Sequence, residues 1–204
     1  MKINTNLWNK IRYTIYTPVY DSVAKHFHRS RKLSIDALNI GDGDRVLIVG
    51  AGTGLDLEFL PKDCEVVATD ITPSMVERIR QRNNATQLDL QALVMDGQHL
   101  QFSDDSFDKV ILHLILAVMP EPTLCIKEVE RVLKPGGEVA VFDKFIRKGK
   151  QLSLTRKLLN PFTNLLFSDI TRDFYDIIAV TQLKVLSDEE ADLNGNFRRI
   201  KVVK

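Results

Sequence analysis

Cysteine is scarce in this chain of 204 residues, which contains only Cys64 and Cys125. The two do not have the short spacing of a metal-ligand motif, and two distant cysteines are typical of free thiols rather than of a disulfide framework. The sequence therefore predicts no metal centre. It also predicts a reducing compartment, with the cytoplasm as the expected location.

Long apolar runs are absent as well. No stretch reaches the roughly 20 apolar residues that a membrane-spanning helix needs, and the longest, residues 110–119, contains a histidine. The N-terminus has no apolar block followed by a small-residue cleavage site, so we expect no signal peptide. The chain is 44% hydrophobic and 27% charged, which is enough for one substantial core and predicts a single domain with additions.

The net charge of only +1 hides a marked asymmetry along the chain. Residues 1–40 carry 7 Lys/Arg against 2 Asp/Glu (net +5), residues 41–143 carry 9 against 18 (net −9), and residues 144–204 carry 12 against 7 (net +5). Basic ends favour an anionic partner, such as a membrane surface or a nucleic acid. An ordinary fluctuation of surface charge explains them equally well.

Strand-like and helix-like segments alternate through the acidic central part of the chain. Strands are expected at residues 45–49, 65–69, 89–95, from 109 onward and at 138–143, and helices at 54–60, 72–84 and 121–133. Such alternation predicts βαβ units and a mostly parallel sheet with right-handed crossovers. Residues 150–181 look helical and irregular, and a final pair of strands is expected at 183–186 and 197–203, around the turn at Asn194-Gly195.

The strongest functional signal is the segment Gly50-Ala51-Gly52-Thr53-Gly54, which directly follows the first strand. Glycines at alternate positions allow a sharp turn and a close approach of backbone to ligand, and open α/β sheets bind ligands at the carboxyl ends of their strands. The dinucleotide fingerprint would have its third glycine at position 55, where this chain has Leu55. The spacing therefore argues against a pyrophosphate clamp.

Two aspartates follow the next two strands. Asp70 ends the second strand and could accept both ribose hydroxyls of a nucleoside, or could act as a turn residue before Thr72-Pro73, where a helix is expected to start. Asp96, followed by Gly97, ends the third strand and could accept from an adenine amino group, or could be a simple turn residue.

Together with the turn Leu133-Lys134-Pro135-Gly136-Gly137, these features resemble the core of the class I S-adenosylmethionine-dependent methyltransferases over about residues 41–143. The resemblance implies an α/β, Rossmann-like fold: a seven-stranded, mostly parallel sheet with an antiparallel C-terminal hairpin and helices on both faces. It also implies S-adenosylmethionine as cofactor and S-adenosylhomocysteine as product. The cofactor-binding residues would be Gly50, Ala51, Gly52, Thr53, Gly54, Asp70, Ile71, Met75, Asp96, Gly97 and His113.

One position departs from the family pattern. The family usually has Asp or Glu two residues before the first glycine, where it helps to hold the cofactor's amino group, and this chain has Ile48. The methionine end of the cofactor would then be held by backbone groups around Gly50 and Gly52, or by a side chain from elsewhere.

The methyl acceptor is suggested by a second resemblance. Residues 15–21, Gly52 to Leu55, residues 70–75, Phe167-Ser168-Asp169 with Arg172, and residues 197–200 look closest to bacterial phosphatidylethanolamine N-methyltransferases and, more loosely, to quinone methyltransferases. The resemblance implies N-methylation of phosphatidylethanolamine toward phosphatidylcholine, with the N-terminal region folded over the cofactor pocket. The alternatives are a quinone precursor or another small molecule as acceptor, or a cofactor-binding module without catalysis.

The N-terminal pattern is compatible with a membrane surface. Apolar residues recur every fourth position at Ile3, Leu7, Ile11 and Ile15, beside Trp8. Basic residues accompany them at Lys2, Lys10 and Arg12, and again at Lys25, His26, His28, Arg29, Arg31 and Lys32. Such a helix could lie in an anionic membrane interface, so residues 1–32 are expected to make peripheral contact with the inner face of the membrane. It could equally pack its apolar stripe against the domain.

A nucleic-acid substrate is disfavoured, because no reader motif is recognisable and the basic residues lack a clear stacking platform. For a phospholipid amine, the candidates that assist loss of a proton are Tyr16, Tyr20 and His113, each of which could instead be a lid or core residue. Asp169 and Arg172 could face the lipid headgroup or an ordinary solvated surface. We expect residues 1–40 to form cap helices on a domain of residues 41–204, in which residues 144–182 are a helical insertion on the substrate side.

Overall fold

The computed structural model describes residues 5–146, 160, 163–164 and 168–204, with the side chains of 17–25 and 193–194 left aside. Residues 147–159, 161–162 and 165–167 of the segment expected to form the substrate-side insertion therefore lie outside the described residues, as do Lys2, Ile3 and the side chains of Tyr20 and Lys25. The division into a cap of residues 1–40 and a domain of residues 41–204 stays a prediction.

A seven-stranded sheet organises the chain, in the order β3-β2-β1-β4-β5-β7-β6. The first five strands run parallel, whereas β7 runs antiparallel to both β5 and β6. The predicted α/β fold, with its mostly parallel sheet and its antiparallel C-terminal pair, is confirmed. The strands are β1 Arg45–Val49, β2 Glu65–Asp70, β3 Asp89–Val94, β4 Phe107–His113, β5 Leu133–Lys144, β6 Lys184–Glu190 and β7 Phe197–Val203.

The described α-helices lie at the N-terminus and between the strands. They are α1 Asn6–Ala24, α2 His28–Asp36, α3 Pro73–Thr86, α4 Pro122–Val132, α5 Phe174–Ile178 and α6 Asp192–Gly195. None of the helices in the described part of the chain is both long and apolar enough to cross a membrane.

Side chains of the central strand alternate between two cores, because successive residues of a strand point to opposite faces of the sheet. Leu47 and Val49 of β1 join a core that includes Ile126 and Val129 of α4. Val46 and Ile48 join the opposite core, which includes Ile35 of α2 and Ile79 of α3. The sheet is thus buried on both faces, as parallel sheets generally are.

The helix expected at residues 54–60 is absent; this segment forms turns and one short 3-10 helix, Leu57–Phe59. Gly50, Gly52 and Gly54 all have positive φ, and Asp56 is held by side chains from outside the segment. With Pro61 downstream, the chain therefore has neither the length nor the backbone geometry for a regular helix.

Candidate cofactor site

The carboxyl ends of β1, β2, β3 and β4 surround an open cavity, whose empty volume is about 630 Å³ including space open to solvent, and α1 forms its opposite wall. This is the position at which open α/β sheets bind their ligands. The described residues that line it are Asn6, Asn9, Tyr13, Val49, Gly50, Gly52, Asp70, Ile71, Thr72, Met75, Met95, Asp96, Gly97, Leu114, Ile115, Val118 and Met119.

The glycine-rich segment forms the floor of the cavity. Gly50 has a φ of +68°, and a Cβ atom there would lie 2.5 Å from Cδ1 of Ile115. At Gly97, on the adjoining wall, a Cβ atom would lie 2.5 Å from Cγ1 of Val49. Both glycines therefore occur where a neighbouring side chain, Ile115 or Val49, leaves no room for a Cβ atom, and both line the cavity.

Asp70 connects the end of β2 to this floor. Its Oδ2 accepts the N–H of Gly52 at 2.9 Å, and its Oδ1 accepts the N–H of Thr72 at 2.8 Å. Burial raises the pKa of Asp70, and these backbone hydrogen bonds partly oppose the rise. The turn role and the ligand role are thus compatible, since each carboxylate oxygen keeps a further acceptor position toward the cavity. Thr72 precedes α3, but its side chain makes no capping hydrogen bond.

Asp96 ties the end of β3 to α1. Its Oδ2 accepts from Nδ2 of Asn6 at 2.5 Å, and its Oδ1 accepts the backbone N–H of Gln98 at 3.0 Å. The side chain of Gln98 in turn accepts the N–H of Glu121 at 2.8 Å. The start of α1 is therefore anchored to the same wall of the cavity as the start of α4.

Comparison with known proteins supports the predicted resemblance to methyltransferases. A family model described as a methyltransferase domain matches residues 47–141. A phosphatidylethanolamine N-methyltransferase of Cereibacter sphaeroides is 32% identical over 157 residues, which are 76% of this chain and 75% of that protein. This chain belongs to the class I S-adenosylmethionine-dependent methyltransferases.

Other relatives are similar over shorter or more divergent stretches. A demethylmenaquinone methyltransferase of Renibacterium salmoninarum is 36% identical over 55% of this chain and 46% of its own length. Among solved structures, the cyclase SpnF has a TM-score of 0.81 at 16% identity, covering 98% of this chain and 96% of its own. That likeness concerns the fold alone, and a cyclase on the same fold illustrates that fold does not decide the reaction.

S-adenosylmethionine is the cofactor of this methyltransferase, and the cavity suits it. Asp70 would accept ribose hydroxyls, Gly50 and Gly97 line the cavity, and Ile71 with Met75 would give the base an apolar surface. We accordingly retain these residues, with Gly52 and Asp96, as the proposed cofactor contacts. The other predicted members of the glycine segment, Ala51, Thr53 and Gly54, are not among the described lining residues; Ala51 and Thr53 are buried behind the cavity floor.

Ile48, where the family usually has an acid, is a core residue that is 1% exposed. Asp70 and Asp96 are the only carboxylates among the described residues that line the cavity. Both already have other proposed contacts with the cofactor, so no further acidic side chain of the described lining replaces the acid that the family has at position 48.

Sequence reasoning did not identify the three side chains that α1 contributes to the cavity, Asn6, Asn9 and Tyr13. Their spacing of three and four residues places them on one helical face. This polar face, next to the apolar stripe of the same helix, is the sequence feature that could have identified them. Asn9 donates to the carbonyl of Val118 at 3.3 Å and accepts from Arg12 at 2.6 Å. The methyltransferase thus builds one wall of its site from its N-terminal helix.

His113 occupies a place different from the one expected of a cofactor-binding or catalytic residue. It is 3% exposed and is not among the described lining residues. Its Nδ1 lies 2.9 Å from Oδ1 of Asp56, and its Nε2 lies 3.0 Å from Oγ of Ser34. Both ring nitrogens are engaged inside the protein, so His113 has no position from which to take a proton from an acceptor in the cavity.

Asp169 and Arg172 also differ from their expected role at a lipid headgroup. Arg172 donates to the carbonyl of Leu116 and, at 2.7 Å, to that of Met119, both in the segment that follows β4. Asp169 accepts from the N–H of Thr171 at 2.9 Å and from its hydroxyl at 2.6 Å. Arg172 thus holds the segment that follows β4, and the polar atoms of both side chains are used in hydrogen bonds within the chain.

The two tyrosines predicted to assist catalysis, Tyr16 and Tyr20, both belong to α1. Tyr16 is not among the described lining residues, and its ring lies edge-on to that of Tyr13, with centroids 6.1 Å apart. The side chain of Tyr20 lies outside the described residues. Among the tyrosines whose side chains are described, Tyr13 is the one that lines the cavity.

Proposed function

We propose that this methyltransferase N-methylates phosphatidylethanolamine toward phosphatidylcholine at a membrane surface. The observation that carries the proposal is the two-faced character of α1: Asn6, Asn9 and Tyr13 line the cofactor cavity, while an apolar stripe on the same helix faces solvent. A helix lying in a membrane interface through that stripe would bring lipid headgroups to the cavity. The similarity to a phosphatidylethanolamine N-methyltransferase over most of both chains supports the same acceptor.

The apolar stripe consists of Leu7, Ile11 and Ile15, which are 68%, 47% and 67% exposed. These three side chains do not pack in the interior of the domain, which was the alternative that the sequence pattern left open. Exposed side chains of this size at helical spacing are typical of interfacial helices. Leu124, near the start of α4, is also 40% exposed. Gln98 hydrogen-bonds to the starts of both α1 and α4, so Leu124 adds apolar surface near the start of α1.

Positive charge contributes less to this surface than the sequence suggests. Arg12 is 2% exposed and donates to the carbonyl of Asn164, and Arg31 is 4% exposed and binds Asp56. Lys32 pairs with Asp36 at 2.6 Å. The exposed cations that remain on the described part of residues 1–32 include Lys10 and Arg29. Insertion of apolar side chains is thus the larger part of the proposed membrane contact.

In the proposed reaction the cofactor supplies a methyl group already activated on a sulfonium. The chain's own residues have to hold the acceptor amine in line, keep it unprotonated and exclude water. Val118, Met119 and Ile115 give the cavity an apolar wall suited to excluding water. Tyr13, with Tyr16 packed against it, is the proposed side chain nearest the acceptor on the α1 side.

A quinone precursor or another small molecule is the second candidate acceptor. The supporting observations are the largely apolar wall of the cavity, which an aromatic ring would fit, and the similarity over 55% of this chain to a demethylmenaquinone methyltransferase. The test of acceptor has to separate the two candidates.

Transfer of radiolabelled methyl groups from S-adenosylmethionine tests the acceptor directly. We expect label on phosphatidylethanolamine products when the protein is incubated with mixed phospholipid vesicles and the lipids are resolved by headgroup. The parallel reaction contains a demethylated quinone in neutral vesicles. Label on the quinone and none on any phospholipid, with calorimetric cofactor binding intact, would refute the lipid assignment and leave the methyltransferase assignment in place.

Membrane contact is tested by replacing Leu7, Ile11 and Ile15 together with glutamine. Full burial of a Leu or Ile contributes about 1.5–3 kcal/mol, and about half of that at an interface gives the stripe roughly 3 kcal/mol, so binding to anionic vesicles should weaken about 100-fold. Vesicle flotation measures the effect.

The matched control replaces Leu186 of β6, which is 55% exposed and far along the sheet from α1, with glutamine, and should leave flotation unchanged. Cofactor affinity in solution should be unchanged in both variants. Undiminished flotation of the triple variant would exclude this stripe as the membrane contact.

A further inference from the structure

A cluster of buried polar side chains lies directly behind the cofactor cavity and takes no part in lining it. It comprises Arg31 and Ser34 of α2, Asp56 just after the glycine-rich segment, and His113 at the end of β4, and we call it the Asp56 cluster. All four residues are at most 4% exposed. Nη1 of Arg31 lies 2.8 and 2.9 Å from the two carboxylate oxygens of Asp56.

The charges of the cluster are centred on an ionised Asp56. Burial alone would raise the pKa of Asp56, but the guanidinium of Arg31 and the ring of His113 lower it far below its usual range. Asp56 is therefore a carboxylate, which can only accept, so Nδ1 of His113 donates to it. Nε2 is hydrogen-bonded to the hydroxyl of Ser34 on the other side of the ring.

Each side of the cluster is connected to a wall of the cavity by very few residues. Asp56 follows Gly54 by two positions, so its location determines where the glycine-rich segment ends. His113 is followed by Leu114, which has a left-handed φ of 58° and donates to the carbonyl of Phe142 at 2.7 Å. Leu114 and Ile115 then line the cavity, with Ile115 packed against Gly50.

A buried ion pair is a poor way to gain stability, because the loss of hydration offsets most of the attraction between the charges. Such a group does, however, fix the distances between the elements that carry it, since a carboxylate held from two sides has little freedom to move. The Asp56 cluster joins α2, the segment after Gly54 and the end of β4, and the last two lead within a few residues into the lining of the cavity.

We propose that the four side chains of the Asp56 cluster position the site for S-adenosylmethionine: they hold the glycine-rich segment, the Leu114–Ile115 turn and α2 at the separation that the cofactor requires. The proposal does not depend on which acceptor is methylated. It assigns His113 a role in cofactor affinity through Asp56 rather than through contact with a ligand.

The test compares His113→Leu with His113→Asn, whose side-chain amide can still donate to Asp56. Misplacement of the cavity lining should raise the calorimetric Kd for S-adenosylmethionine at least about 10-fold in His113→Leu, and His113→Asn should recover most of the affinity. Kd is measured well below the Tm of each variant, so that the folded fraction alone is titrated.

The control is Asp188→Asn, which breaks another largely buried ion pair, to Arg198 at 2.8 Å, in the hairpin of β6 and β7. It should lower the Tm and leave the Kd unchanged. If His113→Leu likewise lowers the Tm and leaves the Kd unchanged, the cluster is merely structural and the proposal fails.

A milder variant keeps the proposal testable if His113→Leu does not fold. Ser34→Ala removes only the hydrogen bond to Nε2 and should raise the Kd about threefold, the usual worth of one neutral hydrogen bond. An unchanged Kd in folded Ser34→Ala, in the absence of folded His113→Leu, would overturn the proposal.

Discussion

Asp70→Ala should weaken S-adenosylmethionine binding by at least about 100-fold. The carboxylate holds the glycine-rich segment through the N–H of Gly52 and is proposed to accept both ribose hydroxyls. Hydrogen bonds to a charged acceptor contribute about 1.5–3 kcal/mol each, so losing two costs roughly 3 kcal/mol or more, and each 1.4 kcal/mol is tenfold. Isothermal titration calorimetry measures the change.

Asp70→Asn is a sharper variant, because it keeps the size of the side chain. One amide oxygen would replace two carboxylate oxygens, and the NH₂ group would face the N–H of either Gly52 or Thr72. We expect a loss of about 10-fold or more. Asp173→Ala, which removes a carboxylate that accepts the N–H of Tyr175 at 2.8 Å at the start of α5, is the matched control and should bind the cofactor normally.

The pH dependence of binding follows from the same carboxylate. Burial raises the pKa of Asp70, and the ionised form is the one that accepts ribose hydroxyls. Cofactor affinity should therefore fall as the pH is lowered through this raised pKa, at a pH above the ordinary aspartate value of about 3.9. The free energy of unfolding changes in the opposite sense, because protonation relieves the cost of a buried charge. Cofactor affinity unchanged in Asp70→Ala would remove Asp70 from the cofactor site.

Gly50→Ala should both destabilise the protein and impair cofactor binding. An L-residue with a φ of +68° costs about 1–2 kcal/mol, and a Cβ atom 2.5 Å from Ile115 adds about 1–3 kcal/mol of overpacking. Together these predict a Tm about 10 °C lower. Ile115 lines the cavity, so its displacement narrows the space for the cofactor and should raise its Kd.

Gly43→Ala separates the backbone cost from the clash. Gly43 has a φ of +77°, but a Cβ atom there has nothing within 4 Å. This variant should lose only about 1–2 kcal/mol and bind the cofactor normally. Equal losses of Tm and equal Kd values in the two variants would contradict the expected clash between a Cβ atom at position 50 and Ile115.

Features that are local in the sequence were predictable without the structure. The alternation of apolar strands with helices, the glycines after β1 and the aspartates after β2 and β3 depend on neighbouring residues alone. Since parallel strands end at one edge of a sheet, those markers were enough to predict the fold and the edge at which the cavity lies. The short turn at residues 54–60 was missed, because the partners that hold Asp56 lie 25 and 57 residues away along the chain.

The roles of buried charged side chains were decided only by tertiary structure. Arg12 and Arg31 belonged by composition to a basic surface, yet both are interior, because Asn164 and Asp56 lie where they can offset the cost of desolvation. Arg172 similarly binds carbonyls that are 53 and 56 residues away. Periodicity likewise left open whether the stripe of α1 would be covered, since a regular apolar pattern fits an interior or an interface equally well.

The sequence by itself determined the sheet and the position of the cavity, because both depend on short-range patterns of hydrophobicity and on backbone geometry that glycine allows. The class of cofactor followed from the resemblance of these segments to the class I methyltransferases. Only the tertiary structure decided which face of α1 meets the cavity, which arginines are interior and that His113 pairs with Asp56. Those choices depend on hydrogen-bond partners within about 3 Å in space that stand up to 152 residues apart in the chain.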